Sequence, residues 1–222
     1  MSGNVAVLFS GGKDSSYALA RADEEFGDGE DGGVDTLVSV KAREASLMYH
    51  VPTFELTSIV AESAGKEHVV YEEGDDATEP LREAVAELEP DVVAVGAVAS
   101  EYQMSRVEGV CEEFGVDVYA PLWEANPEEA LREVTDEFDV IVTAVAADGM
   151  DETWLGRELN DDAVEEILDL RDEYGVHPMG EGGEFETLVV AGSHMDGRLR
   201  VEYEKEWDGM RGSLRVTDAE IV

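Results

Sequence analysis

Short apolar segments alternate with amphipathic segments along this chain, and this alternation limits the possible folds more than any other feature. The segments rich in β-branched residues that we predict as strands are 5–9, 36–40, 68–71, 91–98, 116–119 and 139–145. Helical periodicity occurs between most of them, at 14–25, 54–64, 79–88, 105–114 and 127–138. Such repetition predicts an α/β fold with a parallel sheet covered by helices on both faces. Because ligands of such sheets bind beyond the carboxyl ends of the strands, we expect functional residues in the loops there.

The pattern changes after about residue 125. The segment NDDAVEEILDLRDEYG, at 160–175, predicts a capped helix, and the segments from Glu186 onward predict short strands. We therefore expect two domains, a parallel-sheet domain at 1–125 and a smaller α+β domain at 126–222. The glycine-rich, acidic stretch at 26–35 is predicted to be an exposed loop.

The chain is strongly acidic, with 54 Asp and Glu residues against 15 Lys and Arg residues and a formal net charge of -39. The acidic residues are spread over the whole length, which is typical of a solvated surface and not of an interaction tail. This composition resembles that of cytoplasmic proteins from salt-loving archaea, where concentrated salt screens the self-repulsion; an ordinary acidic protein is the alternative. Because the same field repels nucleic acid at low salt, we expect no direct nucleic-acid binding.

The single cysteine, Cys111, excludes a disulfide within the chain and a cysteine metal cluster, and it favours the cytoplasm. No apolar run approaches the ~18 residues of a membrane span, and the N-terminus lacks a secretory pattern. We expect neither membrane insertion nor export.

A glycine-rich turn joins the first predicted strand to the first helix in the segment VAVLFSGGKDSS. A helix N-terminus carries unpaired backbone amides and a partial positive charge, so it can bind phosphate whatever the distant surface charge is. The residues that we expect at this site are Ser10, Gly11, Gly12, Lys13, Asp14 and Ser15. Asp14 fits beside a phosphate if Mg²⁺ bridges the two, so it is the predicted metal ligand.

This turn differs from the GxxxxGK[ST] loop of other nucleotide-binding proteins. It resembles the SGGxDS pyrophosphate loop (PP-loop) of the N-type ATP pyrophosphatases. The resemblance implies a Rossmann-like domain of the adenine nucleotide alpha hydrolase type that holds the β and γ phosphates of ATP. The α-phosphate is then open to attack by a substrate oxygen, with AMP and pyrophosphate as products.

Further stretches narrow the resemblance: GAVASEYQMSRVE at 96–108, YAPLW at 119–123, GMDETWLGR at 149–157, VHPMGEGGEFET at 176–187 and LMYH at 47–50. Together they resemble the diphthine--ammonia ligase family, which completes diphthamide on translation elongation factor 2. The resemblance covers nearly the whole chain and implies ATP and Mg²⁺ as cofactors. The implied partners are ammonium and the elongation factor that carries diphthine. The implied reaction has two steps: the carboxylate of diphthine forms an acyl adenylate, and ammonia then displaces AMP.

An arginine after the fourth strand, Arg106, is expected to face the phosphates or the adenylate; otherwise it is a surface residue paired with Glu108 or Glu112. The family usually has arginine where Met104 stands. A missing anion contact would then be supplied by Arg106 or Arg157.

The segment GEGGEFET carries Glu181, Glu184 and Glu186, and the last two would share one face of a strand. Clustered carboxylates favour a cation, and the trimethylammonium group of diphthine suits carboxylates beside an aromatic wall. One of the glutamates could instead accept a proton from ammonium or from the attacking amine. The candidate walls are Trp154, Tyr102 and Phe185, each of which is alternatively a core residue. His50 and His177 are interpreted as structural.

Other functions are also compatible with the residues alone. They are another PP-loop amide ligase, a tRNA-modifying enzyme and a noncatalytic nucleotide-binding module. Sulfur transfer to tRNA would favour paired cysteines and a basic face, and the sequence offers neither. A noncatalytic module would bind ATP without releasing pyrophosphate.

Overall fold

The computed structural model describes residues 4–27, 33–41 and 54–222. Within these ranges the strands are β1 (Val5–Leu8), β2 (Val34–Lys41), β3 (Glu67–Glu72), β4 (Val92–Ala94), β5 (Asp117–Tyr119), β6 (Asp139–Val145), β7 (Phe185–Ala191), β8 (Leu199–Trp207) and β9 (Gly212–Ile221). The α-helices are α1 (Lys13–Phe26), α2 (Thr57–Ser63), α3 (Glu79–Leu88), α4 (Glu101–Phe114), α5 (Pro127–Glu137) and α6 (Asp161–Tyr174). Short 3-10 helices lie at Phe54–Leu56 and Glu152–Trp154. His50 and the LMYH stretch fall outside the described residues.

The first sheet is parallel and has the strand order β3-β2-β1-β4-β5. The predicted α/β fold class is confirmed, and the sheet is of the Rossmann-like type. From β1 the chain first adds β2 and β3 on one side of the sheet and then returns to add β4 and β5 on the other side. The direction in which strands are added therefore reverses between β1 and β4. The loops that follow β1 and β4 therefore diverge and open a crevice, which is where such sheets bind ligands.

The second sheet is antiparallel, with the strand order β7-β6-β9-β8. The segment at 139–145 continues the alternation in the sequence, but as β6 it belongs to this sheet and pairs with β7 and β9. The helix before it, α5, contacts α1 and α6, so the chain does not return to the first sheet. Alternation alone cannot show which sheet a strand joins, because both kinds of strand are equally apolar.

Both faces of β7 are covered, and this connects the two sheets. Leu188 and Val190 pack in one apolar cluster with residues of β1, α1 and α2. Phe185 and Val189 pack in another cluster with residues of α5 and α6. The start of β7 is thereby held beside the loop that follows β1.

The helix ends follow from local side-chain bonds. The helix α4 begins at Glu101, four residues before the predicted start, because the Ser100 hydroxyl accepts the N–H of Gln103 at 3.4 Å and caps it. As predicted, α6 is capped: the Asn160 side chain accepts the N–H of Ala163 at 3.0 Å.

None of the helices within the described residues has the length and apolar character needed to cross a membrane.

A histidine after β7 links the stability of this fold to pH. Both ring nitrogens of His194 are shielded from solvent and lack hydrogen-bond partners among the described residues, and its ring lies edge-on to Phe138 at 5.2 Å between centroids. Burial lowers the pKa of His194 to about 4. An unfolded histidine titrates near 6.5, so the unfolded chain binds more protons between these values, and the free energy of unfolding falls as the pH drops through this window.

Replacing His194 with Phe is expected to remove this contribution. Relative to the variant, wild type should lose up to about 3 kcal/mol of unfolding free energy between pH 6.5 and 4. Urea denaturation of both proteins across pH 4–7.5 measures this, and subtracting the two curves cancels the effect of the many carboxylates. A difference that stays constant over the whole range contradicts the prediction.

Candidate active site

A cavity of about 1020 Å³ lies beyond the carboxyl ends of β1 and β4 and reaches the near end of the second sheet. It is formed mainly by the loop after β1, the loop after β4, the glycine-rich turn before β7 and the turn between β8 and β9. The predicted site residues that line it are Ser10, Gly12, Lys13, Asp14, Ser15, Glu181 and Glu186. The folded chain thus brings residues 10–15, which we name the phosphate loop after their predicted role, and part of the GEGGEFET segment to one space.

The phosphate loop has the geometry of an anion site. Gly11 adopts a φ of 76°, which favours glycine, and the 14-residue helix α1 begins two residues later. The Ser10 hydroxyl accepts the N–H of Gly12 at 3.3 Å and lies 3.1 Å from the Ser15 hydroxyl. The N–H groups of Asp14 and Ser15 have no bond to any described residue, so the first turn of α1 offers donors to a bound anion.

The strand β7 supports this loop from the other side. The Thr187 hydroxyl accepts the N–H of Lys13 at 3.2 Å, and Val189 donates its N–H to the carbonyl of Gly11 at 3.0 Å. A Cβ atom at Gly12 would lie 3.3 Å from the Thr187 carbonyl oxygen. Thr187 is therefore a positioning residue that the sequence analysis did not single out; the only signal was its place at the end of the GEGGEFET segment.

The second residue of the loop after β4, Gly96, packs directly on α1. A Cβ atom at Gly96 would lie 2.5 Å from the carbonyl carbon and oxygen of Asp14 and 2.7 Å from the nitrogen of Ser15. No side chain fits in that space unless the backbone moves. Gly96 therefore keeps open the cradle around the first turn of α1.

A buried ion pair joins the phosphate loop to the turn before β7. The Lys13 ammonium, on a residue only 2% exposed, donates to both Asp14 carboxylate oxygens at 2.9 and 2.8 Å and to the Met179 carbonyl at 2.7 Å. Partial burial raises the pKa of Asp14, Lys13 opposes that rise, and the negative charge of Glu186 adds to it. The carboxylate of Asp14 consequently depends on Lys13 for its charged state.

The glutamates of GEGGEFET occupy different environments. Glu181 lines the cavity and accepts the N–H of Val98 at 3.3 Å. Burial raises the pKa of Glu181, and the charge of Asp14 raises it further. Glu186 also lines the cavity and lies opposite Ala144 of β6.

Glu184 is not among the residues that line the cavity. Its carboxylate accepts the N–H groups of His177 at 3.1 Å and Gly182 at 2.7 Å, so it stabilises the glycine-rich turn. The expectation that Glu184 and Glu186 share one strand face requires both to lie in the strand. However, β7 begins at Phe185, and Glu184 belongs to the preceding turn, whose N–H groups its carboxylate accepts.

Four further predicted residues lie outside the lining of the cavity: Arg106, Tyr102, Trp154 and Arg157. The Arg106 guanidinium stacks 3.5 Å from the centroid of the Tyr102 ring and donates to the Tyr102 carbonyl at 3.0 Å, and no bond joins it to Glu108 or Glu112. Trp154 is 4% exposed, in the core, with the Arg157 guanidinium 4.4 Å from its ring. Arg157 also forms two bonds with Glu166, at 2.6 and 2.7 Å. Of the candidate aromatic walls, Phe185 lines the cavity.

The end of β8 and the β8–β9 turn contribute cavity residues that the sequence did not indicate, among them Trp207, Asp208 and Arg211. The sequence WDGMRG carries the Asp-Gly signal of a turn, but nothing local shows that this turn faces the phosphate loop. That placement depends on pairing between β6 and β9, at Ala144 with Ser213 and Val145 with Gly212.

The buried cysteine and the lack of a metal-binding cluster among the described residues constrain the chemistry of the site. The thiol of Cys111 is fully buried, and burial raises its pKa to about 11. Within the part of the chain that the structure describes, no three His, Cys, Asp or Glu residues are placed to hold a metal ion. A cation at this site would therefore rely on Asp14 together with oxygens of a bound reactant.

Comparison with protein families finds two matching family models. One, described as the diphthamide synthase N-terminal domain, matches residues 3–118, and the other, described as the diphthamide synthase C-terminal domain, matches residues 126–222. Among solved structures, similarity is found to a predicted subunit of tRNA methyltransferase from Methanocaldococcus jannaschii, at 17% identity and a TM-score of 0.44, over 86% of this chain and 97% of that one. The U34-tRNA thiolase NcsA from Methanococcus maripaludis is 15% identical with a TM-score of 0.42, over 82% of this chain and 70% of that one.

Curated relatives carry the name diphthine--ammonia ligase. The protein from Rattus norvegicus is 32% identical over 214 residues, which are 84% of this chain and 78% of the relative. The protein from Bos taurus is 32% identical over 212 residues, with the same coverage of 84% and 78%. The protein from Schizosaccharomyces pombe is 31% identical over 209 residues, 84% of this chain and 34% of that longer protein.

Proposed function

The chain belongs to the diphthamide synthase family, and on that basis we propose that it ligates ammonia to the carboxylate of diphthine in an ATP-dependent reaction. The observation that carries the proposal is the shared cavity. The phosphate loop and the glycine-rich turn before β7 face the same space of about 1020 Å³ and are joined through Lys13 and Met179. One space of this size can hold a nucleotide and the side chain of a second reactant.

The nucleotide is assigned to the side of the cavity near the first sheet. The phosphates would bind the free amides of α1, the hydroxyls of Ser10 and Ser15, and the ammonium of Lys13. Val38, Val40 and Val95 line an apolar part of the cavity that suits a base. Mg²⁺ in such sites is held by one or two carboxylates and by phosphate oxygens, and Asp14 would supply the carboxylate.

The reaction then needs two displacements. A carboxylate oxygen of diphthine forms a bond to the α-phosphorus of ATP, and pyrophosphate leaves with the bonding electrons. Ammonia next attacks the acyl carbon, AMP leaves, and the nitrogen loses a proton. We assign the proton transfer from ammonium to Glu181, because its raised pKa lies closer to the working range of a base than that of an ordinary glutamate.

We extend this proposal to the protein that carries diphthine, the source of nitrogen and the cellular environment. We take the diphthine carrier to be translation elongation factor 2 and the nitrogen source to be free ammonia. The neutral, buried thiol of Cys111 is a poor nucleophile for releasing ammonia from glutamine. The formal net charge of -39 supports a cytoplasmic protein of a salt-loving archaeon, whose partners meet it in concentrated salt.

The test is release of AMP and pyrophosphate in concentrated KCl with Mg-ATP and ammonium. Elongation factor that carries diphthine is compared with unmodified factor, and amide formation is followed by mass spectrometry. We expect one AMP for each amide formed, no release with unmodified factor, and no turnover when glutamine replaces ammonium. Nucleotide that binds without pyrophosphate release would indicate a noncatalytic module, and equal release with unmodified factor would refute the substrate assignment.

A further inference from the structure

The cavity contains an arginine in the β8–β9 turn, Arg211, to which the sequence analysis assigned no role. We propose that its guanidinium binds the carboxylate of diphthine. This inference rests on the function proposed above and adds a residue that recognises the second reactant.

The charges that line the cavity favour Arg211 as the contact for a carboxylate. Among the described residues that line the cavity, Lys13 and Arg211 are the basic ones, whereas five are acidic: Asp14, Glu181, Glu186, Glu206 and Asp208. The ammonium of Lys13 lies at the phosphate loop, bound by Asp14 and Met179, and is assigned to the phosphates. An anionic reactant that enters this cavity away from the phosphate loop therefore has one cation to meet, Arg211.

The guanidinium of Arg211 is available. Its Nε atom lies 3.4 Å from Asp208, a long contact, and its side chain is 76% exposed. The two terminal NH₂ groups have no bond to any described residue. These two groups form the planar fork that binds a carboxylate through two parallel hydrogen bonds.

The arginines expected to contact an anion are held elsewhere. Arg106 is stacked on Tyr102, and Arg157 is bound to Glu166; neither lines the cavity. Met104, one helical turn from Glu101 and Glu108 on α4, is 7% exposed and packed in the protein. The anion contact that these positions leave open is one that Arg211 can supply.

The backbone holds Arg211 at a defined point on the rim. The Asp208 carboxylate accepts the N–H groups of Met210 and Arg211, both at 3.0 Å, and Asp208 donates its own N–H to the Arg211 carbonyl at 3.1 Å. The next residue, Gly212, packs so closely that a Cβ atom would lie 2.4 Å from the Glu206 carbonyl oxygen. The turn is therefore well defined, although the side chain of Arg211 is exposed.

The register of the second sheet indicates which reactant Arg211 meets. Glu186 of β7 lies opposite Ala144, Ala144 opposite Ser213, and Ser213 opposite Glu206 of β8. This row spans three strand spacings, about 14 Å. The phosphate loop rests on β7, so the β8–β9 turn lies across the cavity from it, and we assign that side to the second reactant. A guanidinium there would also offset the repulsion between the carboxylate and the phosphates.

The test is a double-mutant cycle between the enzyme and its substrate. Wild type and Arg211→Gln are compared in binding elongation factor whose diphthine carboxylate is either free or blocked as a methyl ester, and in binding Mg-ATP. We expect Arg211→Gln to weaken binding of the free carboxylate form about tenfold, with no effect on the ester form or on ATP. Arg211→Lys, which keeps the charge but loses the fork, should fall between the two.

The matched control is Arg200→Gln, which makes the same change of charge at the other end of the hairpin, where Arg200 pairs with Glu220. It should leave all three affinities unchanged. The assignment of Arg211 is overturned if its variant binds the free and blocked forms with equal losses, loses ATP affinity, or matches wild type. If wild type forms the amide while any of these results is found, this inference alone fails. A wild type that forms no amide refutes the proposed function and this inference with it.

Discussion

Replacing Lys13 with methionine is expected to lower the rate of pyrophosphate release about 100- to 1,000-fold and to destabilise the protein by about 3 kcal/mol. The catalytic loss follows because the phosphates would lose the cation beside the first turn of α1. The loss of stability has a separate cause. Without Lys13, the partly buried carboxylate of Asp14 has no counter-ion and lies near the charges of Glu181 and Glu186.

A double variant separates the two effects. Lys13→Met with Asp14→Asn removes both charges of the pair, so its unfolding free energy should return to within about 1 kcal/mol of wild type. Its turnover should stay as low as that of the single variant. Chemical denaturation and pyrophosphate release measure the two properties. If the double variant regains activity together with stability, Lys13 has a structural role alone and the assignment to phosphate is wrong.

Replacing Gly96 with alanine is the second change with a large expected effect. The new Cβ atom would lie 2.5 Å from the Asp14 carbonyl group, so the backbone of α1 or of the loop has to shift. We expect a destabilisation of about 1–3 kcal/mol. We also expect an approximately 100-fold loss of turnover, because catalysis depends on the position of the amides at the start of α1.

Gly109→Ala is the matched control in the same chain. Gly109 lies within α4, and a Cβ atom there would meet nothing within 4 Å. Since alanine is the better helix former, this variant should be more stable by about 1 kcal/mol with unchanged turnover. Thermal unfolding and turnover of both variants are to be measured together. A Gly96→Ala protein that keeps full activity would show that the phosphate loop does not depend on this close contact.

The sequence predicted the strand, tight turn and helix of the loop after β1, because that geometry is local. A buried strand, a turn that requires positive φ at Gly11 and a helix beginning at Lys13 follow one another within a few residues. The same holds for the capped helix α6, whose signals are all within its own segment. Neighbouring residues suffice to determine such features, since their hydrogen bonds close over short separations.

The roles of the aromatic and basic candidates could not be predicted in this way. Trp154 and Arg157 occur in a segment that matches the family, yet they stack on each other, and Arg157 is bound to Glu166. Arg106 and Tyr102 are one helical turn apart and form their own contact. Whether a residue type suited to a site faces that site depends on which neighbours compete for it.

By itself, the sequence determined the α/β alternation, the tight turn between β1 and α1 and the large negative charge, because periodicity, turn chemistry and charge are properties of neighbouring residues or of composition. Only the tertiary structure decided that β6 joins the second sheet, that β7 supports the phosphate loop through Thr187, and that Arg211 lies across the cavity from it. These placements depend on strand pairing and on side-chain packing between segments far apart in the chain. Their free energy comes from burying apolar surface that no single segment can bury alone.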